Sequence, residues 1–158
     1  MDPQVKKQVL RKLTYGLYVA AAVDGEQAAA ATINWLSQAS FEPPLVMMAI
    51  KKDSGLHSLL DRGVPVAVNI LGADQKAIAE AFFRPTQRDG NTLNGHPFQP
   101  GTSGAPLLTD VPAAFEAKVV GSLPGGDHTV FVVEVTDAHL RRDEKPLEMW
   151  DTGWFYGG

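Results

Sequence analysis

The 158-residue chain contains no cysteine. That excludes disulfides, thiolate metal sites and cysteine nucleophiles, and it allows a cytoplasmic location without requiring one. Histidine is scarce: His57, His96, His128 and His139 are the four, and none lies three to five residues from another. No HExxH or comparable ligand spacing is formed, so no metal site is expected. No apolar run approaches the length of a membrane span, and the charged stretch Met1 to Leu13 does not read as a signal peptide, so no membrane association is expected. Positive charge does not dominate either: 14 Lys and Arg stand against 18 Asp and Glu, a net charge of −4. General binding to nucleic acid is therefore not expected. No GxGxxG follows a strand-like run, which leaves a Rossmann nucleotide site unsupported.

What is present is a composition of 44% hydrophobic and 20% charged residues, suited to one globular domain over residues 1–158. The stretch Ala28 to Gly55 organises the rest. It holds two apolar runs with strand character, Ala30 to Leu36 and Leu45 to Ile50. In the first, Thr32, Asn34 and Gln38 share one parity and Ile33 and Trp35 the other, so one face is polar and the other packs. Pro43-Pro44 cannot donate ladder hydrogen bonds and marks a stiff entry into the second run. Lys51-Lys52-Asp53-Ser54-Gly55 then leads into a helix with Leu56, Leu59 and Leu60 at helical spacing, Ser54 as N-cap and Gly63 as stop. A helix start flanked by lysines is a good seat for a phosphate. The plainer alternative is a solvated lysine pair before an ordinary capped helix. Lysines on a continuing strand alternate faces, so Lys51 is the one expected to point into a pocket. His57, in the first turn, could reach a phosphate or face solvent.

Along the rest of the chain, residues 3 to 14 predict a short amphipathic helix whose Val5, Val9 and Leu13 pack on the domain. Tyr18 to Val23 reads as a strand turning at Asp24-Gly25 into the Ala28 strand. Val64 to Leu71 alternates as a strand, with Pro65 pointing to an edge position. Asp74 is expected to cap a helix through Phe83 with Ile78, Ala81 and Phe82 buried. Thr86 to Pro106 lacks periodicity and reads as a long loop. Ala113 to Leu123 and His128 to Leu140 complete six strands against three helices. This predicts a mainly β protein, an antiparallel sheet rolled into a barrel with short peripheral helices. The last residues, WDTGWFYGG, carry Trp150, Trp154, Phe155 and Tyr156, too apolar to leave in water. They are expected to seal the barrel or a dimer contact, or to wall a planar ligand.

Several segments together resemble the flavin reductase family of FMN-binding split-barrel proteins: YGLYVAAAVDG, TINWLSQASFEPPLVMMAI, HSLLDRGVPVAVNIL with AIAEAFF, GGDH at Gly125 to His128, and DTGWFYGG. The resemblance implies a homodimeric Greek-key split β-barrel that binds FMN and uses NADH or NADPH as cosubstrate. Carried across, Thr32, Asn34, Trp35 and Leu36 would lie along the flavin ring. Ser37, Gln38 and Ser40 would hydrogen-bond the ring or ribityl chain, and Lys51, Ser54 and His57 would hold the phosphate. Phe82 and Phe83 would border the ring, with Trp154 beside it, and His128 would serve the nicotinamide. Ala29 and Ala31 stand where many relatives carry asparagine and methionine. The implied activity is hydride transfer to flavin and on to free flavin, oxygen, iron or a partner oxygenase, the cofactor carrying the chemistry. A non-enzymatic FMN electron carrier and a binder of haem or another planar cofactor are the alternatives. For His128 the plainer alternative is a strand-end residue bonded to the preceding turn.

Overall fold

A computed structural model describes all 158 residues. Helix α1 (Pro3–Leu10) is capped by the Asp2 carboxylate, which accepts from the Gln4 and Val5 amides. Its expected packing is not found. Val5, Val9 and Leu13 are each more than half exposed, because no strand or helix lies beneath that stripe.

The next four strands are β1 (Tyr18–Asp24), β2 (Gln27–Ile33), β3 (Leu36–Ser40) and β4 (Leu45–Lys51), and helix α2 (Gly55–Asp61) follows. Asp24 and Gln27 face each other across the predicted turn, where Gly25 has a φ of 59°. The run predicted as one strand from Ala30 to Leu36 is broken at Asn34-Trp35. The Trp35 carbonyl turns to accept from the Ala49 amide at 2.9 Å, and this ends the alternation.

Strand β5 (Val66–Ile70) and helix α3 (Lys76–Ala81) come next. Strand β5 is not an edge: Pro65 lies just ahead of it, so the missing N–H costs no ladder bond. Asp74 does not cap α3. Gln75 takes that position and spends its side chain elsewhere, accepting from the Gly72 amide and donating to the Asp110 carbonyl. The buried residues here are Ile78, Ala79 and Phe82, with Ala81 only partly covered.

The stretch expected as a loop forms a small second sheet of β6 (Arg88–Asp89), β7 (Thr92–Leu93), β8 (His96–Pro100) and β9 (Pro106–Leu108). Its tight turns are Gly90-Asn91 and Asn94-Gly95; Asn94 and Gly95 both have positive φ, the conformation that tight hairpins demand. Strands β10 (Ala113–Pro124) and β11 (His128–Leu140) form a long hairpin, and helix α4 (Met149–Thr152) follows.

The main sheet has seven strands in the order β2-β1-β5-β10-β11-β4-β3, every pairing antiparallel. It does not close: β2 and β3, the two edges, are not hydrogen-bonded to each other, so the antiparallel sheet is open. Yet Asn34 and Trp35 alone join those edges. Two residues reach no more than about 10 Å from strand to strand, so the sheet coils until its margins nearly meet. One side encloses a core of Ala20, Val46, Met48, Val66, Phe131 and their neighbours, plugged by Leu56, Leu59 and Leu60 of α2. Burying each of those leucines is worth about 1.5–3 kcal/mol. The other side packs Val19, Ala21 and Leu71 against α3, α4 and the small sheet.

The two margins differ. The β2 backbone is covered: the Ala30 amide donates to Thr86 Oγ1, which donates back to the Ala30 carbonyl, and the Thr32 amide donates to the Phe82 carbonyl. On β3, Ser37, Gln38 and Ala39 are exposed. No helix is long and apolar enough to cross a membrane.

Candidate functional site

A groove of about 570 Å³ opens where β2 ends, where β4 meets α2 and where the chain leaves α4. Thr32, Asn34 and Trp35 line it from the break between the sheet edges, and Lys51 and Ser54 line it from the β4–α2 junction. Phe82, Phe83, His128 and Trp154 complete the set of expected residues that meet there. The volume lies in the range of small-molecule and cofactor sites, and the walls are mostly apolar with few polar groups, as such sites are.

Each polar group has a local cause. Ser54 caps α2, its hydroxyl accepting from the His57 amide at 3.1 Å and donating to the Lys51 carbonyl at 2.8 Å. Lys51 ends β4 on the groove side and pairs with exposed Asp53 at 3.3 Å, whereas Lys52 faces away and donates to the Gly125 carbonyl. Asn34, buried at the break, donates to Met149 Sδ at 3.0 Å. The Trp35 Nε1–H is buried without a hydrogen-bond partner.

His128 opens β11 and sits 4.7 Å from the Trp35 ring centre. Its Nδ1 lies 2.6 Å from Asp127 Oδ1 and its Nε2 lies 3.0 Å from the Tyr156 hydroxyl. The hydrogen bond from His128, helped by its charge, holds the Asp127 carboxyl below the usual range. An ionised carboxylate only accepts, so Nδ1–H is the donor to Asp127 and Nε2 is left to the Tyr156 hydroxyl. Burial pushes the Tyr156 phenol up, which keeps that hydroxyl protonated.

The other expected residues lie elsewhere. Leu36 and Ser37 border an adjoining cavity of about 640 Å³, on the far side of Trp35, with Leu10, Leu13, Met47 and Val130. Gln38 and Ser40 sit on β3 and line neither cavity. His57 turns inward, with its Nε2 2.8 Å from Thr129 Oγ1 and its ring edge-on to Phe131. Ala31, noted in the sequence as a small residue, lines the groove, whereas the sequence did not single out Ile33, Ala49, Ile50 and Met149. Alternation could not have found them, because consecutive residues of β2 and β4 line the groove. Phe155 and Tyr156 also line it; they were expected to dock, but nothing local said where.

A second acid–histidine pair lies at the opposite end of the β10–β11 hairpin. Glu116, fully buried, accepts from the Ser103 hydroxyl and amide, the Thr102 amide and His139 Nε2. Burial pushes its carboxyl up, but these donors outweigh burial and leave it below the usual range. Gly101 is required beside it, since a Cβ there would run into the carboxylate. Asp137 stands close enough to make the trio a possible cation cage on spacing, but the Glu116 oxygens are already saturated by donors.

Residues 10–157 match the family described as flavin reductase like domain. The chain is 30% identical over 145 residues to diflavin flavoprotein A 1 of Synechocystis sp., covering 91% of this chain and 25% of that protein. It thus spans about a quarter of the length of the diflavin flavoproteins it matches. It is 29% identical over 141 residues to the NADH-dependent FMN reductase SmoA of Agrobacterium fabrum, covering 89% of this chain and 78% of that protein. Among solved structures, the NADH:FAD oxidoreductase SgcE6 of Streptomyces globisporus superposes with a TM-score of 0.79 at 28% identity, over 94% of this chain and 90% of that one.

Proposed function

Because the chain belongs to the flavin reductase like domain family, we propose that it passes hydride from a reduced nicotinamide to an FMN seated in the groove. The observation that carries this reading is the mostly apolar groove in which Trp35, with His128 against its ring, is joined by Lys51 and Ser54 at the start of α2. A flat heteroaromatic ring fits such a wall, since it offers a stacking face and acceptors at its edge. Lys51 would face the anionic end of the flavin, and the α2 N-cap keeps that lysine and the groove floor in register. A flavin bound there would supply the two-electron redox chemistry.

The chain's own residues bind, orient and exclude water. Phe82 and Phe83 close one flank, and Trp154 packs edge-on to Phe83 at 5.0 Å. His128, oriented by Asp127, presents Nε2 towards a nicotinamide carboxamide. Ala31 leaves room at the wall that a larger residue would fill. The coiled, unclosed sheet is taken as a split barrel. The exposed stripe of α1, with the second cavity beside it, is taken as the face for a second copy of the chain.

The test is an anaerobic titration of FMN-loaded protein with NADH and then NADPH. Loss of the flavin absorption is expected with at least one of them. Protein that retains no FMN overturns the reading, and bound flavin that ignores both nucleotides points instead to an electron carrier. Lys51→Ala is expected to weaken FMN binding about fivefold, the scale of one exposed ion pair. Unchanged affinity removes the phosphate assignment.

A further inference from the structure

The segment from Gly153 to Gly158 is held to the domain in an unusual way. It contributes no strand to either sheet, and none of its residues makes a backbone-to-backbone hydrogen bond. Its attachments run through side chains. The Trp154 amide donates to Thr152 Oγ1, Lys76 Nζ sits 4.5 Å from the Trp154 ring centre, and the Arg11 guanidinium lies 4.8 Å from that of Phe155. Phe155 and Tyr156 remain about half exposed. Trp154 is packed against the core, whereas the residues beyond it, with few buried contacts and no backbone ladder, open at low cost.

Its seat is nonetheless specific. The Tyr156 ring centre lies 5.2 Å from that of Trp35, and its hydroxyl occupies the Nε2 of His128. With Asp127 on Nδ1, both nitrogens of the imidazole are then engaged. Gly157 follows with a φ of 88°, and a Cβ there would come within 2.8 Å of Trp35 Cζ2. The absence of a side chain is what lets the backbone lie down on the indole.

We infer that residues 155–158 form an exchangeable lid, in which Tyr156 holds the place on His128 and Trp35 that the polar edge of the nicotinamide must take. The inference rests on the hydride-transfer reading of the groove and deepens it. Seating of the lid and binding of the cosubstrate are mutually exclusive, so the closed fraction sets the apparent affinity for the nucleotide.

Steady-state kinetics of the FMN-loaded chain test it. Tyr156→Phe keeps the ring and removes the hydroxyl, freeing Nε2. Gly157→Ala keeps the hydroxyl and lifts the backbone from Trp35. Both variants are expected to lower the KM for NADH about fivefold, the population change worth one hydrogen bond. A KM that is unchanged or raised in both variants overturns the lid and makes Tyr156 a structural contact. A KM lowered by Gly157→Ala and not by Tyr156→Phe overturns the role given to the hydroxyl. A parent protein that binds FMN but oxidises neither NADH nor NADPH takes the inference down with the functional reading, and is recognised before any variant is compared.

Discussion

The β10–β11 hairpin carries two acid–histidine pairs of the same chemistry, put to different use. At one end Glu116 and His139 are enclosed, and every oxygen of the carboxylate is matched by donors from Thr102, Ser103 and the imidazole. At the other, Asp127 is exposed and His128 borders the groove, with its second nitrogen held by a loosely attached segment. A saturated pair can only hold structure. A pair with one replaceable partner is available to a ligand. Surroundings rather than residue type separate scaffold from site.

Substitutions can break that contrast. The largest expected effect is on the enclosed pair: Glu116→Gln turns an acceptor into a donor facing the Ser103 and Thr102 amides. It should lower unfolding stability by about 2–3 kcal/mol in urea denaturation, leaving the KM for NADH unchanged. A stable variant would show that the carboxylate is dispensable to the loop. His128→Ala should do the reverse, lowering kcat/KM for NADH roughly tenfold, about 1.4 kcal/mol, with the urea midpoint unmoved.

Acid titration sharpens the same comparison. The Glu116 carboxyl lies below its ordinary value in the folded chain. Its contribution is therefore complete above the ordinary glutamate range and drains away as pH falls through the depressed folded value. Glu116→Gln should flatten that acid limb of stability. Asp127 is shifted the same way but is fully exposed, so Asp127→Asn should leave the limb nearly as it was. The smallest effect is that substitution's own: a rise in the KM for NADH of about threefold as Nδ1–H loses its anionic partner.

The local parts of this molecule were legible in its sequence. Ser54 and the leucines of α2 announce their helix within a dozen residues, because a cap and a 3.6-residue period are short-range features. The Lys51 and Lys52 side chains part to opposite sides as strand alternation requires. The small sheet was legible but missed: Gly90-Asn91 and Asn94-Gly95 are hairpin signals inside what composition alone suggested was a loop. The break at Asn34-Trp35 was not legible, since alternation continues through it and only the distant β4 amide of Ala49 turns the chain. Nor was the exposure of α1, whose pattern promises a partner without saying whether the partner lies in the same chain. The contact of Tyr156 with His128 spans 28 residues and rests on the way the sheet coils.

The unequal margins of the main sheet bear on how crowded copies of the chain behave. With β2 sealed by Thr86 and Phe82, a stray extended peptide approaching the margins of the main sheet finds an open ladder along Ser37 to Ala39. That margin is five residues long and is interrupted by a register shift between Gln38 and Ser40. Sheet-to-sheet addition there thus starts from a short, irregular ladder.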